Sequence, residues 1–180
     1  MRLTDRDYEI IKYIMDNNGA TIEQLHKMFF PSYNVCSKRM KKLADNGTVK
    51  ECLHPTFNKK VYYYKKIPSF HSLIINDLVI QLKDKLQYYE REYPIDKFKI
   101  DCMMLLKNNH IIAVEIDLFN RTSENKVKKV YDKITKLDKA ASVLIVSKCK
   151  RMNKLDNKNK KINMINVKLD ELSNINNIIK

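Results

Sequence analysis

Residues 32–47 read SYNVCSKRMKKLADNG, and this stretch guides the interpretation of the first part of the chain. Ser32 is a residue type that caps helix N-termini, and Gly47 is the type that follows helix ends. The spacing predicts a helix between them that runs to Asn46. Its inward face is predicted at Val35, Met40 and Leu43, with Cys36 as a further candidate. The outward positions are almost all basic or amide-bearing: Asn34, Ser37, Lys38, Arg39, Lys41 and Lys42.

Two shorter helices are predicted upstream of this stretch. The first begins at Thr4 and ends at residues 18–19, an Asn-Gly pair. The second begins at Thr21, where Gln24 completes a capping box, and ends before Pro31, which cannot continue a helix. The predicted inward positions of the two helices are Tyr8, Ile11, Ile14, Met15, Ile22, Leu25, Met28 and Phe29.

A hairpin is predicted downstream of the same stretch. Residues 48–53 alternate with period two, residues 54–60 form a polar tip, and residues 61–65 form the returning strand. Three helices followed by a hairpin are the element order of a winged helix-turn-helix. We assign this fold to residues 1–68.

The basic face of the third helix predicts contact with double-stranded DNA. A helix of this width enters the major groove, where Asn34, Ser37, Lys38 and Arg39 are expected to reach base edges. Phosphate contacts, which fix the position of a protein without reading sequence, are expected from Lys41, Lys42, Lys59 and Lys60. The alternative is a winged helix that contacts another protein, with solvated lysines.

Composition agrees with a polyanionic partner. The 180 residues carry a formal net charge of +14, and 44% of them are hydrophobic, so a folded core is expected. A lysine-rich surface produced by an AT-rich genome is the alternative source of this charge. The four cysteines are scattered without a Cys-x-x-Cys pair, and the charged N-terminus does not resemble a signal peptide. No apolar run is as long as a membrane span, and we expect a cytoplasmic protein.

The remainder of the chain, residues 69–180, is predicted to be an α/β layered domain with a mixed sheet, so that the whole chain is α+β. A long helix is expected from Ser69 or Ser72 through Tyr89, stopped before Pro94. Strands at residues 98–106 and 111–118, a helix at 124–137, and strands at 142–147 and 162–167 follow, and a helix closes the chain. The basic residues 148–161 are expected to be a solvated segment, with phosphate contact as the minority interpretation.

Three acidic residues lie in otherwise apolar strands of this domain. Glu115 and Asp117 are two residues apart, so their side chains share one face of a strand, and the hairpin brings Asp101 beside them. Crowded carboxylates repel each other, and a divalent cation relieves the repulsion; oxygen ligands suit Mg²⁺ or Mn²⁺. The alternative is an exposed sheet edge whose acids pair with Lys126, Lys128, Lys129 and Lys133.

The order helix, strand with Asp, turn, strand with acid-x-acid, helix and strand resembles the core of restriction-endonuclease-like nucleases, the PD-(D/E)XK superfamily. Ile100-Asp101 stands at the Pro-Asp position and Glu115-Ile-Asp117 at the (Asp/Glu)-x-Lys position. Together with the winged helix, and with Thr122, Lys126 and Tyr131, the chain resembles the replication-relaxation family of plasmid and integrative-element proteins. The sequence departs from the strict motif in having Asp117 in place of its lysine and no proline before Asp101.

This resemblance implies specific roles. Asp101, Glu115 and Asp117 would be metal ligands for Mg²⁺ or Mn²⁺, and Lys126, or Lys129 one turn along, would replace the motif lysine as the catalytic cation. Two hypotheses follow. The first is a metal-dependent DNA-nicking enzyme, related to relaxases, that is targeted by its winged helix. The second is a DNA-binding regulator or accessory factor whose nuclease-like domain is inactive and serves dimerisation. A homodimer on a palindromic site suits a winged helix, although the sequence indicates no dimer interface.

Overall fold

The computed structural model describes residues 1–137, 140–149 and 162–179. The chain divides into two compact units, Met1–Ile80 and Gln81–Lys180. The boundary at residue 68 predicted from the sequence falls before the fourth helix, whereas the contacts group most of that helix with the first unit.

The first unit contains three helices, a hairpin and a fourth helix. A strand of two residues, β1, adds to the hairpin, and the sheet order is β1-β3-β2 with antiparallel pairs throughout. The helix-helix-helix-hairpin order agrees with the order expected from the sequence, whereas β1 is too short to produce a periodic pattern. The elements are α1 (Asp5–Asp16), β1 (Ala20–Thr21), α2 (Ile22–Phe29), α3 (Tyr33–Asp45), β2 (Lys50–Leu53), β3 (Lys60–Tyr63) and α4 (Phe70–Leu82).

The predicted helix starts of the first unit are confirmed by their caps. Thr4 and Thr21 each form a capping box, with Asp7 and Gln24 respectively, and the Ser32 hydroxyl accepts a hydrogen bond from the Val35 amide. These bonds satisfy amide groups that a helix leaves without partners at its N-terminus. The buried residues of the unit include Ile10, Ile14, Leu25, Phe30, Cys36, Met40, Leu43, Val49, Val61 and Tyr62.

Three predicted inward positions are wrong. Tyr8, Met15 and Val35 are 60%, 48% and 48% exposed. In α1 the buried stripe is Asp7, Ile10 and Ile14, at spacings of three and four residues. In α3 it is Cys36, Met40 and Leu43, and Val35 lies about 100° around the helix from Cys36 because an α-helix has about 3.6 residues per turn.

The second unit is built on a five-stranded mixed sheet of order β4-β5-β6-β7-β8. The β4-β5 and β5-β6 pairs are antiparallel, whereas the β6-β7 and β7-β8 pairs are parallel. The α+β class and the mixed sheet are therefore confirmed. The elements are β4 (Leu86–Ile95), β5 (Phe98–Leu106), β6 (Ile111–Asp117), α5 (Glu124–Leu137), β7 (Ala141–Ser147), β8 (Met164–Lys168), a 3-10 turn (Leu169–Asn174) and α6 (Ile175–Ile178).

The predicted continuation of the fourth helix through Tyr89 is wrong. Helix α4 ends at Leu82, and β4 occupies residues 86–95. Tyr88, Tyr89 and Tyr93 are residue types that favour strands, and β4 pairs with β5 over most of its length. Because β4 is at the edge of the sheet, Pro94 is tolerated within it. Leu86 and Tyr89 continue the helical spacing of the apolar residues of α4, but the pairing of β4 with β5 overrides this local pattern.

Two further expectations concern chain segments rather than sites. Most of the predicted basic segment, residues 150–161, lies outside the described residues. Within the described ranges, no helix combines the length and the apolar character that a bilayer crossing requires.

Candidate functional site

The outward face of α3 is the first candidate site. Asn34, Lys38, Lys41 and Lys42 are exposed, and Ser37 is half-buried. Their spacing follows one side of the helix, opposite the buried Cys36, Met40 and Leu43. Lys41 lies 3.5 Å from Asp45 in an exposed ion pair, and among the described residues no ion pair involves Lys38 or Lys42. The result is a strip of exposed amide and ammonium donors along one side of α3.

Arg39 has a different position from the other residues of this predicted set. Its guanidinium forms a two-point ion pair with the carboxylate of Asp7, and the Nε–Oδ1 distance is 2.7 Å. The Asp7 side chain is 1% exposed and that of Arg39 is 24% exposed. The hydrogen bond from Arg39 is the largest cause of the lowering of the pKa of Asp7 to about 2. The guanidinium of Arg39 is therefore engaged by α1 through Asp7.

The lysines at the hairpin lie in the same unit. Lys59 is 3.7 Å from Glu23 and 4.9 Å from the centre of the Phe57 ring, and Lys60 is 3.2 Å from Glu51. Both lysine side chains are about half-exposed, 45% and 51%. His54 supports the tip, because its Nδ1 accepts hydrogen bonds from the amides of residues 56 and 57 and its Nε2 contacts the carbonyl of residue 68.

The second candidate site lies where β5 and β6 separate. Their antiparallel register ends with Cys102 opposite Val114, next to Asp101 on β5 and Glu115 on β6. Beyond this point the Asp101 carboxylate accepts a hydrogen bond from the amide of Ile116 at 2.7 Å. Strand β6 continues to pair with β7 as far as Asp117, so Glu115 and Asp117 lie towards its C-terminal end, and the Asp101 carboxylate of β5 lies beside that end.

Thr122 joins the two acids of β6. Its hydroxyl donates to Asp117 Oδ1 at 2.6 Å and contacts Glu115 Oε2 at 3.3 Å, and its amide donates to the same Asp117 oxygen at 2.9 Å. The structure thus brings Glu115 and Asp117 together on one face of the strand. In the sequence, Thr122 contributes only to the family resemblance, because its spacing of five residues from Asp117 corresponds to no short motif.

Lys126 supplies the positive charge of this site. Its ammonium lies 2.6 Å from Glu115 Oε1 and 2.8 Å from the carbonyl oxygen of residue 99. Glu115 is 4% exposed, and burial raises the pKa of its carboxyl, whereas the contact with Lys126 lowers it. Lys129, the other lysine predicted here, is exposed and lies 5.8 Å from the ring centre of Phe98. Of the two candidates, Lys126 is the one that the structure brings to the acids.

The three carboxylates of this site have to be compared in position with the ligands of a divalent cation. Carboxylate oxygens are suitable ligands for Mg²⁺ or Mn²⁺. Across residues 1–137, 140–149 and 162–179, however, no three His, Cys, Asp or Glu side chains are arranged so that they could hold a metal ion. The Asp101 carboxylate accepts from a backbone amide, that of Glu115 contacts an ammonium and a hydroxyl, and that of Asp117 accepts from an amide and a hydroxyl. This arrangement of the three acids does not fit a metal ion.

Comparisons with known proteins give structural similarities only. No protein-family model matches the sequence, and no curated protein matches it. A repair endonuclease from Pyrococcus abyssi is 15% identical, with a TM-score of 0.41, over 62% of this chain and 52% of that chain. Protein VC1899 from Vibrio cholerae is 12% identical, with a TM-score of 0.46, over 79% of this chain and 41% of that chain.

A third similar structure is a complex of EndoMS with double-stranded DNA. The identity is 8% and the TM-score 0.39, over 66% of this chain and 59% of that chain. The present chain spans only 41% to 59% of the length of these three structures.

Proposed function

We propose that this protein is a sequence-specific double-stranded-DNA-binding protein of a plasmid, integrative element or phage, related to the replication-relaxation family. The observation that carries the proposal is the exposed strip on α3. Asn34 and Lys38 are separated by one helical turn, and Lys41 and Lys42 follow one turn later. The sequence resemblance described above supports the mobile-element origin.

The geometry suits a helix that enters the major groove. A helix placed there presents one side to base edges, and amide and ammonium groups pair with adenine and guanine edges respectively. Asn34 and Lys38 are assigned to bases, and Lys41, Lys42, Lys59 and Lys60 to phosphates, which position the protein without reading sequence. Arg39 is assigned to the support of α3 because its guanidinium is paired with Asp7.

The second unit is assigned a structural role rather than a nicking activity. The carboxylates of Asp101, Glu115 and Asp117 have protein partners that hold the end of β6 and the entry to α5. A unit of this kind can serve dimerisation on a palindromic site. The family resemblance implies metal-dependent nicking instead. If the protein nicked DNA in a metal-dependent way, the structural role would be wrong.

Alanine substitution on α3 tests the DNA-binding proposal. We expect Lys38→Ala to weaken binding of the specific duplex by about 1–3 kcal/mol, and Lys42→Ala to weaken specific and unspecific duplexes equally. Lys136→Ala, which removes the same charge from an exposed position on α5, is the matched control and should have little effect. The measurement is duplex affinity as a function of salt concentration, with DNA selected from a random pool. The proposal would be contradicted by a duplex affinity that is independent of salt concentration. It would also be contradicted if Lys38→Ala, Lys42→Ala and Lys136→Ala all lost the same amount of affinity.

A nicking assay tests the role of the second unit. Supercoiled DNA that carries the selected site is incubated with the protein and Mg²⁺ or Mn²⁺, beside a Glu115→Gln variant. We expect no conversion to the nicked form by either protein, because Glu115 is engaged by Lys126 and Thr122. Nicking by the wild-type protein that disappears in Glu115→Gln would show that the site is catalytic.

A further inference from the structure

An exposed aromatic side chain follows β6 in the second unit. Phe119 is 71% exposed, whereas the adjacent Leu118 is 7% exposed and belongs to the core. Aromatic side chains are enriched at binding surfaces, since they provide a large rigid contact area at a small cost in side-chain entropy. Phe119 belongs to the second unit and is not part of the proposed DNA-binding surface on α3.

The loop that carries Phe119 is closed at its base. Asp117 Oδ1 accepts hydrogen bonds from the Thr122 amide at 2.9 Å and from its hydroxyl at 2.6 Å. One residue later, the Ser123 hydroxyl accepts a hydrogen bond from the amide of Lys126 and caps α5. The ring is therefore carried by a short loop with both ends fixed, which reduces the entropy lost when a ligand binds.

One cation contacts the ring, and a second is carried by the same loop. The last pair of the parallel β6-β7 ladder joins Asp117 to Ser147, so Phe119 and Lys148 leave the sheet at the same edge. The Lys148 ammonium lies 4.7 Å from the centre of the Phe119 ring. Arg121, in the same loop as Phe119, is exposed. The carboxyl ends of parallel strands form the edge where ligands bind in many α/β folds.

We propose that Phe119, Arg121 and Lys148 form a binding site for single-stranded nucleic acid. An unpaired base stacks on the Phe119 ring, and the two cations contact the neighbouring phosphates. An aromatic ring with flanking cations is the combination by which proteins hold single strands, because every base has a face that can stack and every nucleotide has a phosphate. A base inside a duplex already has both faces covered, so the site selects unpaired nucleotides. The cations favour nucleic acid over an apolar protein partner.

Fluorescence gives a direct test, because the sequence contains no tryptophan. A Phe119→Trp variant of the full chain carries a single indole at the site. We expect an oligothymidylate to quench this fluorescence by about twofold or more through stacking, while an abasic strand of the same length and charge quenches it little. Tyr8→Trp, at a 60% exposed position on α1, is the control and should respond to neither strand. Equal quenching by the two strands would overturn the stacking assignment.

Affinity measurements separate the aromatic ring from general charge attraction. We expect Phe119→Leu and Lys148→Ala each to weaken oligothymidylate binding about tenfold, and Phe119→Tyr to bind within about twofold of the wild-type protein. A Lys38→Ala, Lys42→Ala double variant should retain single-strand binding, so that failure of this site and failure of the α3 proposal remain distinguishable. Binding that is unchanged in Phe119→Leu, including the case in which this surface binds a protein instead, would overturn the proposal.

Discussion

Replacement of Arg39 by alanine should lower the free energy of unfolding by about 3–5 kcal/mol at neutral pH. The reason is the 1% exposure of the Asp7 carboxylate, which would remain buried and charged without its guanidinium partner. The effect should also depend on pH. The pKa of Asp7 is lowered from 3.8 to about 2, so the ion pair contributes stability above about pH 4, and this contribution is lost as the pH falls through 2. Urea unfolding of both proteins at about pH 7 and at about pH 3 measures the two effects.

Two further variants give this prediction its controls. Asp45→Ala removes the exposed Lys41–Asp45 pair from the same helix and should change the stability by less than about 0.5 kcal/mol. Arg39→Lys keeps the charge but loses the two-point contact. Its free energy of unfolding should lie between those of Arg39→Ala and the wild-type protein. A loss below about 1 kcal/mol in Arg39→Ala, or a loss that is equally large at low pH, would contradict the assigned role of the pair.

Replacement of Lys126 by methionine should lower the free energy of unfolding by about 3 kcal/mol at neutral pH. Methionine keeps most of the side-chain volume, so the loss arises from a Glu115 carboxylate that is left buried without its ammonium. Burial already raises the pKa of Glu115, and removal of Lys126, which lowers it, raises the pKa further. A raised pKa in the folded protein means that acidification restores stability as Glu115 takes up a proton. The destabilisation should therefore shrink as the pH is lowered from about 7 to about 4.

The matched control is the double variant Lys126→Met, Glu115→Gln. It removes both charges, and we expect its stability to return to within about 1 kcal/mol of the wild-type protein, because no unpaired buried charge remains. Urea unfolding across the same pH range is the measurement. A double variant as unstable as Lys126→Met, or a single variant whose loss is constant with pH, would show that Lys126 acts through packing and not through its charge.

The elements were predictable wherever a local signal coincides with the final packing. Thr4, Thr21 and Ser32 begin helices as expected, because N-caps act within one turn of the chain. The bounds of β5 and α5 also agree with the sequence pattern. Strand β4 was missed because its apolar residues repeat at a spacing that also suits a helix, and only its pairing with β5 decides between the two.

The candidate sites were likewise predictable only where the local sequence determines the arrangement of the residues. The shared face of Glu115 and Asp117 follows from the two-residue repeat of a strand and was predictable. The pairing of Arg39 with Asp7 was not, because 32 residues separate the two partners, and the pair depends on how α1 and α3 pack. Phe119 gave no sequence signal either, since a single aromatic residue after a strand is as consistent with a core position as with an exposed one.

The order of the strands in the second unit has a consequence for the way the chain folds. Strands β4, β5 and β6 form a consecutive antiparallel meander, in which β4 and β5 are joined by residues 96–97 and β5 and β6 by residues 107–110. Strand β7 pairs with β6 only after the chain has passed through α5, so its contacts close a longer loop at a larger entropic cost. Since local contacts form faster than distant ones, the meander is the part expected to nucleate folding of this unit, and the parallel half assembles on it.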